Sequence, residues 1–216
     1  MVSALALFPL KTVVFPGEML PLHIFEERYR ELIYDCEILD MTFGIPAYIG
    51  SSMEYGTEVK LEKVVETYPD SSKDVICRGL QVFRIEEFTS RQEGRKYGGG
   101  TVHFLENIEN GTAEQLDQFK GLIKELYVQL EIPPPKKNSH NINSYTLSHK
   151  IGLSLEQEYT LLKLLTEKER LEFLINHLSI IIPVVQELNR TRTVIEMNGH
   201  FKKFDPLDFE DYKIEE

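Results

Sequence analysis

The chain has 216 residues, of which 42% are hydrophobic, 27% are charged and ten are proline. That make-up excludes a disordered or fibrous chain and leaves room for one large domain or two small ones. Its 24 basic and 35 acidic side chains give a formal charge of −11, which argues against a nucleic-acid backbone or an anionic membrane as the main partner. A globule of this length buries roughly 70% of its extended surface and needs no disulfide or metal to fold. Cys36 and Cys77 form no CxxC pair, which points to a reducing compartment and no metal site. The start, MVSALALFPLK, has no basic segment ahead of its apolar run, and no uninterrupted apolar run reaches the roughly 18 residues of a membrane span. The expectation is a soluble, cytoplasmic protein with no membrane partner.

The first half reads as short strands around one helix. Ser3 to Leu10, Thr12 to Phe15 and Met19 to Leu22 are apolar, brief and broken by proline, which suits extended segments. In FEERYRELIYDCEIL, Phe25, Tyr29, Leu32, Ile33 and Cys36 recur at spacings of three and four, the mark of an amphipathic helix. Met41 to Ile49 is again extended. Thr57 to Tyr68 alternates, with Val59, Leu61 and Val65 on one face and Glu58, Lys60, Glu62 and Glu66 on the other. A turn at PDSSKD then sends Val75 to Phe88 back as a hairpin, and Gly79 within it marks a bulge or a close backbone approach. A polar, glycine-rich loop over 91–100 leads to a last strand from Thr101 to Leu105. Several short strands with no room for long edges predict a closed or partly closed barrel.

The second half is helical, and three capping boxes punctuate it: Thr112 with Gln115, Ser154 with Gln157, and Thr166 with Glu169. The first opens a helix carrying Leu116, Phe119, Ile123, Leu126 and Leu130. The second carries Tyr159, Leu162 and Leu165. The third carries Leu171, Leu174, Leu178, Ile181, Val185 and Leu188 and should kink at Pro183 before stopping at Asn198-Gly199. Its apolar stripe suits an intramolecular core or a dimer, and the core is the expected use. IPPPKKNSHNIN separates the first two helices as a stiff spacer and loop, and a short helix is expected near Tyr145 to Ile151. The domain organisation expected is a barrel over 1–107, a helical bundle over 108–200 and an acidic, frayed tail over 201–216.

Catalytic signatures are missing. No GxxxxGK[ST] cradles a phosphate, no HExxH or GxSxG is present, and the six histidines show no ligand spacing, so no metal or cofactor is expected. The carboxylate pairs Glu26-Glu27 and Glu86-Glu87 are what 35 acids produce by chance. Basic pairs such as Lys136-Lys137 and Lys202-Lys203 are small and scattered, with no aromatic interleaving, which is poor material for RNA.

The most specific text is the opening: FPL (8–10), VVFPGE (13–18), LPLHIFEERY (20–29), FGI (43–45) and, less closely, RGLQVFRI (78–85). It resembles the N-terminal substrate-recognition domain of the ATP-dependent Lon proteases, which is also found in small standalone bacterial proteins. The helical remainder resembles the bundle that follows that domain. The resemblance implies an α+β protein, with a PUA-like antiparallel β-barrel containing one helix followed by a C-terminal α-helical bundle. It also implies a non-catalytic module that holds unfolded or tagged segments of other proteins, and the expected mode is capture of an exposed apolar segment in a groove between barrel and bundle. As the residues stop at Glu216, the expectation is a standalone protein without ATPase or Ser–Lys protease modules, which would leave a separate AAA+ protease as a possible partner. RNA binding by the PUA-like barrel, a regulatory subunit docking onto a protease, and an unrecognised enzyme working at the barrel mouth are the competing readings. The signature residues Pro16, Gly17, Glu26, Arg28 and Tyr29, with Arg78 and Arg84 of the last motif, are the candidate binding residues, though the fold alone would account for them. Arg78 or Arg84 is expected to pair with Glu26.

Overall fold

The computed structural model describes residues 2–50, 52–133 and 142–197. The Asn198-Gly199 stop, the acidic tail over 201–216 and most of the Pro-rich spacer lie outside the described residues.

Six strands form one mixed sheet in the order β2-β5-β4-β3-β1-β6: β1 (Val2–Leu7), β2 (Met19–Ile24), β3 (Phe43–Pro46), β4 (Tyr55–Thr67), β5 (Lys73–Thr89) and β6 (Gly98–Phe104). Strand β5 is long enough to pair with β4 over its first part and with β6 over its second, so pairing returns from β6 to β5. The antiparallel expectation needs one correction. β1 and β3 run parallel through Leu7 and Gly44, because the whole of β2 and the helix α1 (Glu27–Leu39) intervene as a crossover.

Three local expectations also change. Phe25 precedes α1 instead of joining its buried face; the helix begins after Glu26, and Tyr29, Leu32, Ile33 and Cys36 carry the packing. The alternation of β4 slips at register shifts after Thr57, Leu61 and Val64, so Val64 packs inward while Val65 is exposed and Glu58 is buried. Each extra residue moves the following side chains to the other face. The buried Glu58 carboxylate accepts hydrogen bonds from Thr42 Oγ1 (2.6 Å) and Gln81 Nε2 (2.8 Å). Finally, Gly98 to Gly100 belong to β6 and not to a loop. A Cβ on Gly100 would lie 2.1 Å from the Glu87 carbonyl oxygen, so the missing side chain is what lets β6 pair with both β1 and β5. Thr12 to Phe15 forms no strand, although Val13, Val14 and Phe15 are buried.

All three capping boxes form. They open α2 (Ala113–Gln129), α3 (Leu155–Lys163) and α4 (Glu167–Met197), each with reciprocal side-chain to backbone hydrogen bonds. The short helix before α3 is reduced to a 3-10 turn at Ser148–Lys150. Helices α2 and α4 run side by side in the same direction: Gln115 reaches Glu172, Gln186 reaches Glu125, and Asn189 donates to the Gln129 carbonyl. Helix α4 runs through Pro183 without interruption. Within Glu167–Ile195 an 18-residue stretch has a mean hydropathy of 1.4, so the helix is long and apolar enough to cross a membrane by length and composition, although Leu171, Leu174, Leu178 and Ile182 are buried within this fold.

Two main apolar cores result. One lies between α1 and the sheet, around Leu32, Ile33, Phe43 and Val59. The other unites the helices with Val13, Phe15, Ala47 and Val82 of the strand half, so the bundle is rooted on the sheet.

Candidate functional site

The signature segment VVFPGE is a turn bolted to the sheet. Pro16 and Gly17 occupy its centre, Gly17 at φ +80° where a side chain would be strained, and the Glu18 amide bonds the Phe15 carbonyl at 3.1 Å. The turn docks on β5 through Gly17 N to Gly79 O and Gly79 N to Glu18 O, both 2.9 Å. Gly79 permits this: a Cβ there would lie 2.2 Å from the Phe15 carbonyl oxygen. The register shift between Val59 and Thr57 falls beside it, so Gly79 marks both a close approach and an irregular pairing.

From this turn the strand half is tied to the bundle. Glu18 accepts from the Phe15 amide at 2.9 Å and meets His149 Nε2 at 3.1 Å, while His149 Nδ1 meets Glu158 of α3 at 2.7 Å. The imidazole also lies over Phe15, with ring centroids 4.8 Å apart. The bond to Glu18 does most to raise the His149 pKa to about 9, with Glu158 adding to it against the cost of burial, so the ring is cationic at neutral pH. Nearby, the fully buried Arg170 donates to Ser144 Oγ, Glu167, the Leu164 carbonyl and Asn107 Oδ1, and stacks 4.5 Å from the Tyr145 ring centroid. Between these ties a crevice lined by Pro16, Val82, Leu105, Tyr145, Leu162 and Arg170 encloses about 40 Å³. That is well below the roughly 150 Å³ that admits one benzene ring, so this junction is a joint and not a groove.

The start of α1 is more open. Glu26 is its N-terminal flanking residue and makes no capping bond; its carboxylate meets Arg28 at 2.7 Å. Arg28 lies 4.6 Å above the Tyr29 ring, and Tyr29 is buried in a stack on Phe8 at 3.7 Å. Glu27 pairs with Lys96, which holds its carboxyl below the usual carboxylate range.

Beside this corner runs β2, the end strand of the sheet order. Leu20, Leu22 and Ile24 turn to the core, which leaves Met19, Pro21 and His23 facing outward and Phe25 following them. Met19 is 52% exposed and Phe25 is 64% exposed. His23 stacks beside Phe25 and meets Asp74 at 2.6 Å; Asp74 also accepts from the Tyr68 hydroxyl at 2.7 Å, and the two bonds lower its pKa. Arg78 stands opposite Met19 across the pairing and bonds Glu62 at 2.5 Å.

The candidate residues therefore fall into distinct places. Glu26, Arg28 and Tyr29 are contiguous at the start of α1; Pro16 and Gly17 dock beside Arg78; Arg84 stands alone on the second half of β5 with Glu86 at 4.0 Å. Neither arginine pairs with Glu26, because β5 directs Arg78 to Glu62 and Arg84 to Glu86 while Arg28 is two residues away. Met19 and Phe25 were missed as surface residues because helical spacing put Phe25 on a buried face. The pairing of Glu18 with His149, and of Arg170 with Asn107 and Ser144, carried no local signal, because these partners are distant in sequence. Among the described residues no buried side-chain nitrogen or oxygen lacks a hydrogen-bond partner, and no three His, Cys, Asp or Glu side chains gather as a metal site.

This architecture is matched among solved structures. The crystal structure of a Lon N-terminal domain protein from Xanthomonas campestris is 26% identical and superposes with a TM-score of 0.63, covering 81% of this chain and 98% of that one. The N-terminal domain of a Mycobacterium avium complex Lon protease has the same fold at 18% identity and a TM-score of 0.58, over 82% of this chain and 98% of its own. The family model of the ATP-dependent protease La (LON) substrate-binding domain matches residues 4–179, which takes in most of β1, strands β2 to β6, α1 to α3 and the first part of α4. The chain belongs to the LON substrate-binding domain family.

Proposed function

We propose that this chain is a non-catalytic recognition module that holds unfolded or tagged segments of other proteins through their exposed apolar side chains. Membership of the substrate-binding family over residues 4–179 is the observation that carries this reading. The surface best suited to the task is the outer edge of β2 with Met19 and Phe25, because the junction crevice is too small for an aromatic ring. An extended segment laid along an end strand gains main-chain hydrogen bonds there, with Met19 and Phe25 meeting alternate side chains. Pro21 contributes no amide, which limits the length of pairing and suits a weak, exchangeable hold. The net charge of −11 favours basic, apolar-rich segments by steering. Micromolar affinity, about −8 kcal/mol, is the expected strength.

The test is fluorescence anisotropy with a labelled, permanently unfolded model protein at low and high salt. Binding that weakens with salt and falls about tenfold in Met19→Ser plus Phe25→Ser, with the melting temperature unchanged, supports the proposal. No binding at either salt concentration counts against capture. Binding indifferent to salt removes the charge argument.

A further inference from the structure

The pairing of β2 with β5 fixes which main-chain groups of β2 are left for another chain. Gly79 N donates to the Glu18 carbonyl and the Gly79 carbonyl accepts from Gly17 N, so Gly79 turns both of its groups toward β2. Antiparallel pairs alternate between bonded and non-bonded. Leu20, Leu22 and Ile24 therefore take the bonds to β5, and the main chain of Met19, Pro21 and His23 is directed outward. Pro21 agrees with this register, because a residue without an N–H loses no ladder bond at an outward position. Among the described residues no turn or loop main chain bonds to these three. The edge offers an amide and a carbonyl at Met19, a carbonyl alone at Pro21, and an amide and a carbonyl at His23. An extended main chain is the partner that matches groups at that repeat.

The side chains of the same three residues lie on a face whose charge changes along the strand, because directly opposed residues of paired strands share a face. Met19 stands beside Arg78 and Lys60, Pro21 beside Ile76 and Lys63, and His23 beside Asp74 and Glu66. The Met19 end is apolar with cations behind it, and Arg78 and Lys60 are ion-paired to Glu62 and Asp40. The His23 end is anionic: the bonds from His23 and Tyr68 hold Asp74 below the usual carboxylate range, and Glu66 is exposed. A carboxylate only accepts, so His23 donates to Asp74 from Nδ1, and the neutral ring presents Nε2 as an acceptor. The His23 side chain is 55% exposed. An acceptor backed by two carboxylates suits a cationic donor.

We propose that the β2 edge reads one register: an extended client segment that sets an apolar side chain against Met19 and, four residues away, a lysine or arginine against His23 and Asp74. This rests on the recognition role proposed above and narrows it from apolar-rich segments in general to segments with this spacing. The spacing is that of the two β2 residues with a complete pair of outward main-chain groups, so backbone pairing and side-chain selection fall at the same positions. An acidic residue at the His23 position meets Asp74 and Glu66 and is rejected by like charge.

Fluorescence anisotropy of the full chain with labelled peptides tests this, run beside a permanently unfolded model protein. The probes are Thr-Lys-Thr-Val-Thr-Leu-Thr and the same sequence reversed. The expected result is binding of one of the two that weakens about tenfold when glutamate replaces the lysine, and again when the lysine moves one residue closer to the leucine. N-methylation of one alternate set of peptide amides should abolish binding, and of the other set should leave it, because only every second amide of a strand faces its neighbour. Asp74→Asn should erase most of the preference for lysine over glutamate; a folded Asp74→Asn protein with the preference intact overturns the assignment. The peptide exchanges do not depend on that variant folding. Equal affinity for the lysine and glutamate peptides, or equal loss from both methylated sets, while the unfolded protein is still captured, overturns the register and leaves the recognition role standing. Failure of the peptides and the unfolded protein alike removes the recognition role and this inference with it. A self-associated chain that binds the peptides only when diluted to monomers overturns it in favour of a second copy along β2.

Discussion

The ion triad at the junction makes a quantitative prediction. His149 is held between Glu18 and Glu158, with its pKa raised from 6.5 to about 9. A shift of this size corresponds to at most about 3.4 kcal/mol at about 1.4 kcal/mol per pH unit. The side chain is a third exposed, so solvent screening brings the expected contribution to about 1–2 kcal/mol. Its sign follows from which state holds the proton. Below pH 6.5 the imidazole is protonated in both states and the full contribution is present. Between pH 6.5 and 9 the folded protein keeps a proton that the unfolded chain has released, so stability falls as pH rises, and above pH 9 the contribution is gone. The perturbation is His149→Gln, which retains hydrogen bonding without the charge. Urea unfolding at pH 6.0, 7.5 and 9.5 should show the wild type more stable than the variant by about 1–2 kcal/mol at pH 6.0 and the two converging at pH 9.5. Parallel pH profiles of the two proteins would refute the reasoning, since every other titrating group is common to both.

Three further outcomes follow from the packing. Gly79→Ala forces a methyl group into the Phe15 carbonyl, a backbone atom that cannot swing aside, and should cost about 2–4 kcal/mol, read as a fall of roughly 5–15 °C in melting temperature. Arg170→Met removes a buried cation whose four partner groups are then left unmatched, and should cost about 3–5 kcal/mol in urea unfolding; a variant as stable as wild type would deny Arg170 its role as the hub of the joint. Cys36 and Cys77 are buried, and burial raises both thiols to about 12, so a thiol reagent at pH 8 should label neither in the native protein and both in denaturant.

Much of the fold was legible from local pattern. Capping boxes need only residues three apart, so all three helix starts were readable before any tertiary contact was known. The hairpin of β4 and β5 was readable from alternation and the PDSSKD turn, and the value of Gly79 from its place inside a strand. The errors fell where distant segments overrule local preference. Three glycines in a row signal a loop until it is known that β6 is crowded by β1 on one side and β5 on the other. Alternation along β4 signals one buried face until register shifts exchange the faces.

The candidate site divides along the same line. A continuous signature such as VVFPGE followed by LPLHIFEERY is determined by sequence alone, because its turn, strand and helix start are built from near neighbours with their own backbone preferences. Where those residues end up is decided only by the assembled structure. The exposure of Met19 depends on its lying on the face of β2 turned away from the core, and the cationic state of His149 depends on two carboxylates 131 and 9 residues away along the chain. Exposure and proton affinity are properties of surroundings, and surroundings exist only once the chain has folded.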